Sequence, residues 1–100
     1  MPYVVCAHWH AKPGEEDRLA AVIEELTPPT RAEPACRYYQ AQRSVDDGRH
    51  FLLYEQYDDA AGYEAHMASE HFTRLVKELA IPTLIEDRER AFYQTIGATQ

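Results

Sequence analysis

A chain of 100 residues with 45% hydrophobic and 27% charged content has the size of one domain with one core, and no linker divides it, so a single domain over residues 1–100 is expected. Its formal net charge of −7 repels phosphate, and the ten Lys and Arg residues are scattered rather than clustered, which argues against a nucleic-acid partner. No run reaches the about 18 apolar residues of a membrane span, and the start "MPYVVCAHWHAKPG" is too short in its apolar part for a secretory leader, so a cytoplasmic protein with no membrane partner is expected.

From Pro2 to Ala11, Val4, Cys6, His8 and His10 alternate with Tyr3, Val5, Ala7, Trp9 and Ala11, the two-residue period of a strand with something to bury on each side. "KPGEED" breaks it. Leu19, Val22, Ile23 and Leu26 then recur at the spacing of an amphipathic helix, expected to stop before Pro28 and Pro29. Thr30 and Glu33 have the spacing of a capping box, which predicts one more short helical turn closed by Pro34. Residues 35–43 and 50–57 read as two strands, joined by "SVDDGR", whose Asp-Gly supplies the positive φ angles of a hairpin turn.

A second helix begins at Asp58 or Asp59. It cannot keep one face throughout, because residues five apart are rotated by about 140°. Ser69 is the expected break: it ends a segment carrying Tyr63 and His66 and caps another whose inward stripe is Phe72, Leu75, Val76 and Leu79. Pro82 ends that helix, and residues 88–96 supply the last strand. The order β-α-β-β-α-β predicts a ferredoxin-like α+β fold, a four-stranded antiparallel sheet with both helices on one face. Strands one and three nevertheless offer apolar groups to both faces, Val4, Cys6, Leu52 and Tyr54 on the second, so a homodimer is expected to cover it.

The segments "AKPG", "PTRAEPAC", "LYEQYDD" and "EAHMASEHF", in this order and spacing, resemble the antibiotic biosynthesis monooxygenase family, small dimeric α+β barrels that include quinol and anthrone monooxygenases. The resemblance covers nearly the whole chain. It implies oxygenation without metal or flavin: the substrate, deprotonated to an electron-rich phenolate or enolate, itself reduces O2, while the protein binds, deprotonates and shields it. The family's anthrone-oxidising members use an Asn and a Trp on strand three, a Tyr on the following helix and an Arg further on. The matching positions hold Leu53, Tyr57, Tyr63 and Lys77, so only the tyrosine is retained. Haem-degrading relatives use an Asn, a Trp and an axial His where this chain has Ala7, His66 and Val76, which leaves no iron ligand at the last position.

Other site candidates come from the residues themselves. Tyr63 and His66, three apart on a helix, share its inward face, and an imidazole is the usual general base near neutral pH. They are the expected catalytic pair. His71 belongs to the next segment and is expected as a partly buried residue at a helix start, at the edge of substrate binding. His66 and His71 are five apart, the wrong spacing for two metal ligands on one helical face. His8 and His10 project about 7 Å apart from one sheet face with Cys6, but no third ligand at diagnostic spacing completes a site, so no metal is expected. Cys6 and Cys36 are expected as free thiols. Glu55, alone in an apolar strand, is either a pocket carboxylate with a raised pKa or the ion-pair partner of an arginine such as Arg37 or Arg90. Trp9 offers a stacking surface, and Trp9 and Tyr57 could sandwich a planar ring.

The resulting expectation is a cofactor-independent monooxygenase acting with O2 on a small aromatic hydroquinone, phenol or related enolisable compound. Substrate contacts would come from Trp9, Leu53, Glu55, Tyr57, His71 and Lys77. Two alternatives stand beside it: an isomerase or tautomerase of a small carbonyl compound, and a non-catalytic module that binds an aromatic ligand.

Overall fold

A computed structural model describes residues 2–97 of the chain. Four strands, β1 (Tyr3–Ala11), β2 (Cys36–Arg43), β3 (His50–Tyr57) and β4 (Ile85–Gln94), form one sheet in the order β2-β3-β1-β4 with every neighbouring pair antiparallel. Helix α1 (Glu16–Arg31) joins β1 to β2. Helix α2 (Ala60–Ala68), a single turn α3 (Glu70–Phe72) and a π-helical stretch (Thr73–Leu84) join β3 to β4. This is the expected ferredoxin-like arrangement.

The core lies between one sheet face and the helices. Trp9, Ala11, Phe51 and Leu53 from the sheet meet Leu19, Ile23 and Leu26 of α1 and Leu75, Val76, Ala80 and Leu84 of the π-helical stretch. Burying side chains of this size removes about 1.5–3 kcal/mol of unfavourable hydration apiece. Of the expected inward stripe, Leu75 and Val76 are fully buried, and Phe72 and Leu79 pack against the core at its margin.

Helix α1 corrects the first boundary. It runs through Pro28 and Pro29 to Arg31, and Thr30 is buried inside it rather than capping a separate turn. Proline removes an N–H and crowds the carbonyl four residues back. Here those carbonyls belong to the exposed Glu24 and Glu25, where water can serve them. The Thr27 and Thr30 hydroxyls donate to the carbonyls of Ile23 and Leu26, at 2.7 and 2.8 Å, which keeps the last turn wound.

The second helical arm breaks where expected, since Ser69 has extended backbone angles (φ −68°, ψ 157°). Its hydroxyl donates to the His66 carbonyl at 2.6 Å and accepts the Phe72 N–H at 3.2 Å. Asp59 caps the start through the Gly62 N–H at 2.9 Å. Pro82, expected as the stop, lies inside the π-helical stretch, which closes when the Ile85 N–H donates to the Ala80 carbonyl. The wider turn relieves the ring's crowding of the preceding carbonyls. In consequence β4 starts at Ile85 and ends at Gln94, earlier at both ends than the 88–96 expected.

The β2–β3 connection also differs. Gly48 does not adopt a positive φ; among the described residues only Gly14 and Gly97 do. The six-residue link is too long to need a two-residue hairpin turn. Ser44 Oγ accepts the N–H groups of Asp46 and Asp47, and the Arg43 side chain donates to the Gly48 carbonyl. The positive φ falls instead at Gly14 (85°), where the Glu15 N–H donates to the Lys12 carbonyl across a Pro-Gly turn.

Candidate active site

Alternation along β1 and β3 turns Val5, Ala7 and Trp9, and Leu53, Glu55 and Tyr57, toward the helices, with Val5 opposite Glu55 and Ala7 opposite Leu53. On the other side of β1, Arg90 lies opposite Ala7 and Arg88 opposite Trp9. Tyr63 and His66 descend from α2, and Phe72 from α3. Together Ala7, Trp9, Glu55, Tyr63, His66, Phe72 and the β4 residues Arg88, Glu89 and Arg90 line a cavity of about 280 Å³.

The polar groups here form two linked sets. In one, the Tyr57 hydroxyl donates to Glu55 Oε1 at 2.6 Å, and His66 Nε2 stands 3.8 Å from that oxygen. Burial pushes the Glu55 carboxyl up from its ordinary value; the Tyr57 hydrogen bond opposes this and does not cancel it. The same burial, reinforced by the Glu55 charge, pushes the Tyr57 phenol up. In the other set, the Arg90 guanidinium donates to the Tyr63 hydroxyl at 2.7 Å. That leaves the phenol its own proton to donate. Burial raises the Tyr63 pKa while Arg90 works to lower it.

His66 is almost wholly buried. Its ring stacks on Tyr63 (centroids 6.1 Å, planes 26° apart) and meets Phe72 edge-on at 5.0 Å. Nδ1 lies 2.8 Å from Glu33 Oε2. His71 Nε2 reaches the same carboxylate oxygen at 2.5 Å. The expected helical break at Ser69 is what lets two imidazoles five residues apart, a spacing that would part them on one helical face, converge on a single carboxylate. Two histidines and a glutamate are a donor set that a divalent transition metal can use, and their ligand atoms lie within 4.8 Å of one another. The two contacts to Oε2 are nevertheless of hydrogen-bond length, shorter than the roughly 3.3 Å between ligands around a tetrahedral ion with 2.0 Å bonds. The arrangement is a carboxylate bridging two imidazoles.

Of the residues singled out from sequence, Trp9, Glu55, Tyr63 and His66 line the cavity. Leu53 is buried in the main core, and Tyr57 stands behind Glu55. His71 lies beyond Glu33, and Lys77 is exposed with its ammonium 5.8 Å from the Phe72 ring centre. Phe72, rather than Tyr57, faces the cavity as the second aromatic wall. Neither arginine considered for Glu55 pairs with it: Arg37 stands 3.6 Å from Asp58, and Arg90 holds Tyr63. Sequence reasoning missed Glu33, Arg88 and Glu89. The alternation of β4 opposite Trp9 and Ala7 is the signal that points to Arg88; Glu33 carries none. On the opposite sheet face His8 and His10 meet a third histidine, His50, overlooked in the sequence. His8 Nδ1 and His50 Nε2 share a hydrogen bond of 2.8 Å, and His10 stacks on His50 at 4.5 Å. Cys6 and Cys36 are free and partly buried, and burial, with the Glu33 charge next, raises the Cys36 thiol to about 11.

Comparison with known proteins agrees with this architecture. The Mycobacterium tuberculosis protein Rv0793 is 32% identical over 71 residues, spanning 71% of this chain and 69% of the relative. The crystal structure of PA3566 from Pseudomonas aeruginosa superposes with a TM-score of 0.89 at 27% identity, covering 96% of this chain and 95% of that one. A crystal structure of an antibiotic biosynthesis monooxygenase superposes with a TM-score of 0.85 at 31% identity, covering 97% and 100%. Residues 2–78 match the family model for antibiotic biosynthesis monooxygenase. With that match over most of the chain and a shared fold, the chain belongs to the antibiotic biosynthesis monooxygenase family.

Proposed function

We propose that the protein is a cofactor-independent monooxygenase that oxidises a small aromatic hydroquinone, phenol or related enolisable compound with O2. The observation that carries this reading is the pairing of a proton acceptor with an oxygen-holding pair at one cavity. His66 Nδ1 is occupied by Glu33, which leaves Nε2 for the substrate, while the Tyr63 hydroxyl, gripped by Arg90, can donate to a substrate oxygen. His66 takes the hydroxyl or enol proton, and Tyr63 with Arg90 stabilises the resulting oxyanion. The carbanion-like carbon then gives its electrons to O2. One oxygen atom ends on the substrate and the other leaves as water, the substrate supplying all four electrons.

The walls set the size. An apolar cavity of about 150 Å³ takes one benzene ring, so 280 Å³ suits one or two rings, laid against Trp9 and Phe72. The apolar second sheet face supports the homodimer of the resemblance. A second reading, an isomerase or tautomerase, is favoured by the proximity of Glu55 and His66, two groups able to hold a proton 3.8 Å apart.

Oxygen uptake with a panel of quinols and phenols tests the proposal. His66→Ala and Tyr63→Phe are expected to lower kcat by about 10² to 10⁴-fold and to leave the circular dichroism unchanged. Turnover that proceeds equally fast without oxygen favours the isomerase. Full activity in a folded His66→Ala protein overturns the assignment of the base.

A further inference from the structure

We propose that Glu33 is a positioning residue: it fixes the tautomer and orientation of His66, and His71 secures Glu33 for that task. The inference rests on His66 being the base.

Three separate pieces of chain meet at Glu33 Oε2. Glu33 comes from the turn between α1 and β2, His66 from the last turn of α2 and His71 from α3. A carboxylate oxygen can only accept, so each nitrogen facing it carries a hydrogen. That places the proton of neutral His66 on Nδ1 and leaves the lone pair on Nε2. In the other tautomer the Nδ1 lone pair would face the carboxylate lone pairs at 2.8 Å, a repulsion that the burial of His66 leaves poorly screened. The ring cannot turn away from this choice, because Tyr57, Tyr63 and Phe72 surround it with centroids at 5.5, 6.1 and 5.0 Å.

His71 donates to the same oxygen. A largely buried carboxylate oxygen that would otherwise have one donor therefore has two, and its reach toward His66 is fixed by both. A catalytic imidazole oriented by a carboxylate through the nitrogen away from the substrate is a general solution for a base, and placing it in the wrong tautomer is costly. Here the carboxylate and the imidazole are 33 residues apart in sequence and in different elements.

The test reads the tautomer directly. Histidine-labelled protein is observed by ¹⁵N NMR above the titration of the rings, with the His66 signals assigned by their loss in His66→Asn. The wild type should show Nδ1 protonated and Nε2 bare. Glu33→Ala leaves the main-chain bonds of this turn in place, since they run from the Glu33 N–H to the Thr30 carbonyl and from the Cys36 N–H to the Glu33 carbonyl. It should mix the two tautomers and lower kcat by about 10²-fold with little change in KM. Glu33→Gln, whose amide oxygen can still accept from Nδ1, should recover most of both. His71→Ala should keep the tautomer and lower kcat by less than about tenfold.

A folded Glu33→Ala protein in which His66 keeps the proton on Nδ1 overturns the inference, as does a kcat loss that Gln does not recover. The two proposals fail separately. If His66→Ala keeps its activity, the base assignment falls whatever the NMR shows; if the tautomer does not respond to Glu33, this inference falls while the base assignment stands.

Discussion

Glu55 is a carboxyl placed on the covered face of β3, and its titration reaches into the stability of the whole domain. Burial raises its folded-state pKa above the ordinary value of 4.5. Below that ordinary value the group is neutral both folded and unfolded, so burying it carries no charge penalty. As pH rises through the raised folded value, a charge must be held out of water at this buried position, and stability is lost relative to acid. Glu55→Gln stays neutral and can still accept from the Tyr57 hydroxyl. It should therefore melt above the wild type at pH 8, with the difference closing on acidification toward pH 4.5. Equal melting temperatures at pH 8 would show that the pocket tolerates the carboxylate after all. Glu55 was legible because a lone carboxylate interrupts an alternating apolar strand, and Tyr63 with His66 because three-residue spacing puts them on one helical face. Glu33 was not. It sits in an irregular turn whose neighbours in space come from other elements, and no local period encodes that meeting.

Among the elements, α2 shows how sequence spacing and tertiary packing divide the information. Its break at Ser69 follows from helix geometry alone, whereas the passage of α1 through two prolines depends on the Thr27 and Thr30 hydroxyls reaching the carbonyls four residues before them. Penalties for proline are averages over helices that lack such help. Packing decides at Gly62 as well. This glycine lies in the first turn of α2, where alanine usually stabilises a helix by up to about 1 kcal/mol. A Cβ built there would stand 2.7 Å from the Ala35 Cβ and 3.4 Å from the Tyr57 Cβ. Both neighbours are anchored directly to main chain and cannot swing away, and overpacking of this kind costs about 1–3 kcal/mol. The clash should outweigh the propensity: Gly62→Ala is expected to lower the urea midpoint, and a rise would mean that the turn before β2 gives way easily.

On the scale of the molecule, the helices cover one sheet face and leave the other with the partly exposed Cys6, Leu52 and Tyr54 flanked by Tyr38 and Tyr93, which are 51% and 53% exposed, while Val4, expected among the groups left in water there, is already buried within the single chain. The three stacked histidines lie on this face too, and His8 and His50 share a hydrogen bond. Such a surface is costly to leave in water and suits a second copy of itself, since a twofold axis brings the same patch to both sides. Alternation made this face visible in the sequence. Leu52 is the position to probe, because it lies between His8 of β1 and Gln42 of β2 in the strand register. A dimer should therefore sediment at micromolar concentration with twice the 11.5 kDa of the chain. Leu52→Glu would bury two unpaired carboxylates across the axis, a penalty of several kcal/mol per ion, while a monomer would expose the same side chain to water without cost. The variant should sediment as a monomer with its secondary structure retained. A wild type that sediments at 11.5 kDa, or a Leu52→Glu protein that stays dimeric, would remove the sheet face from the interface and leave its apolar groups to be explained another way.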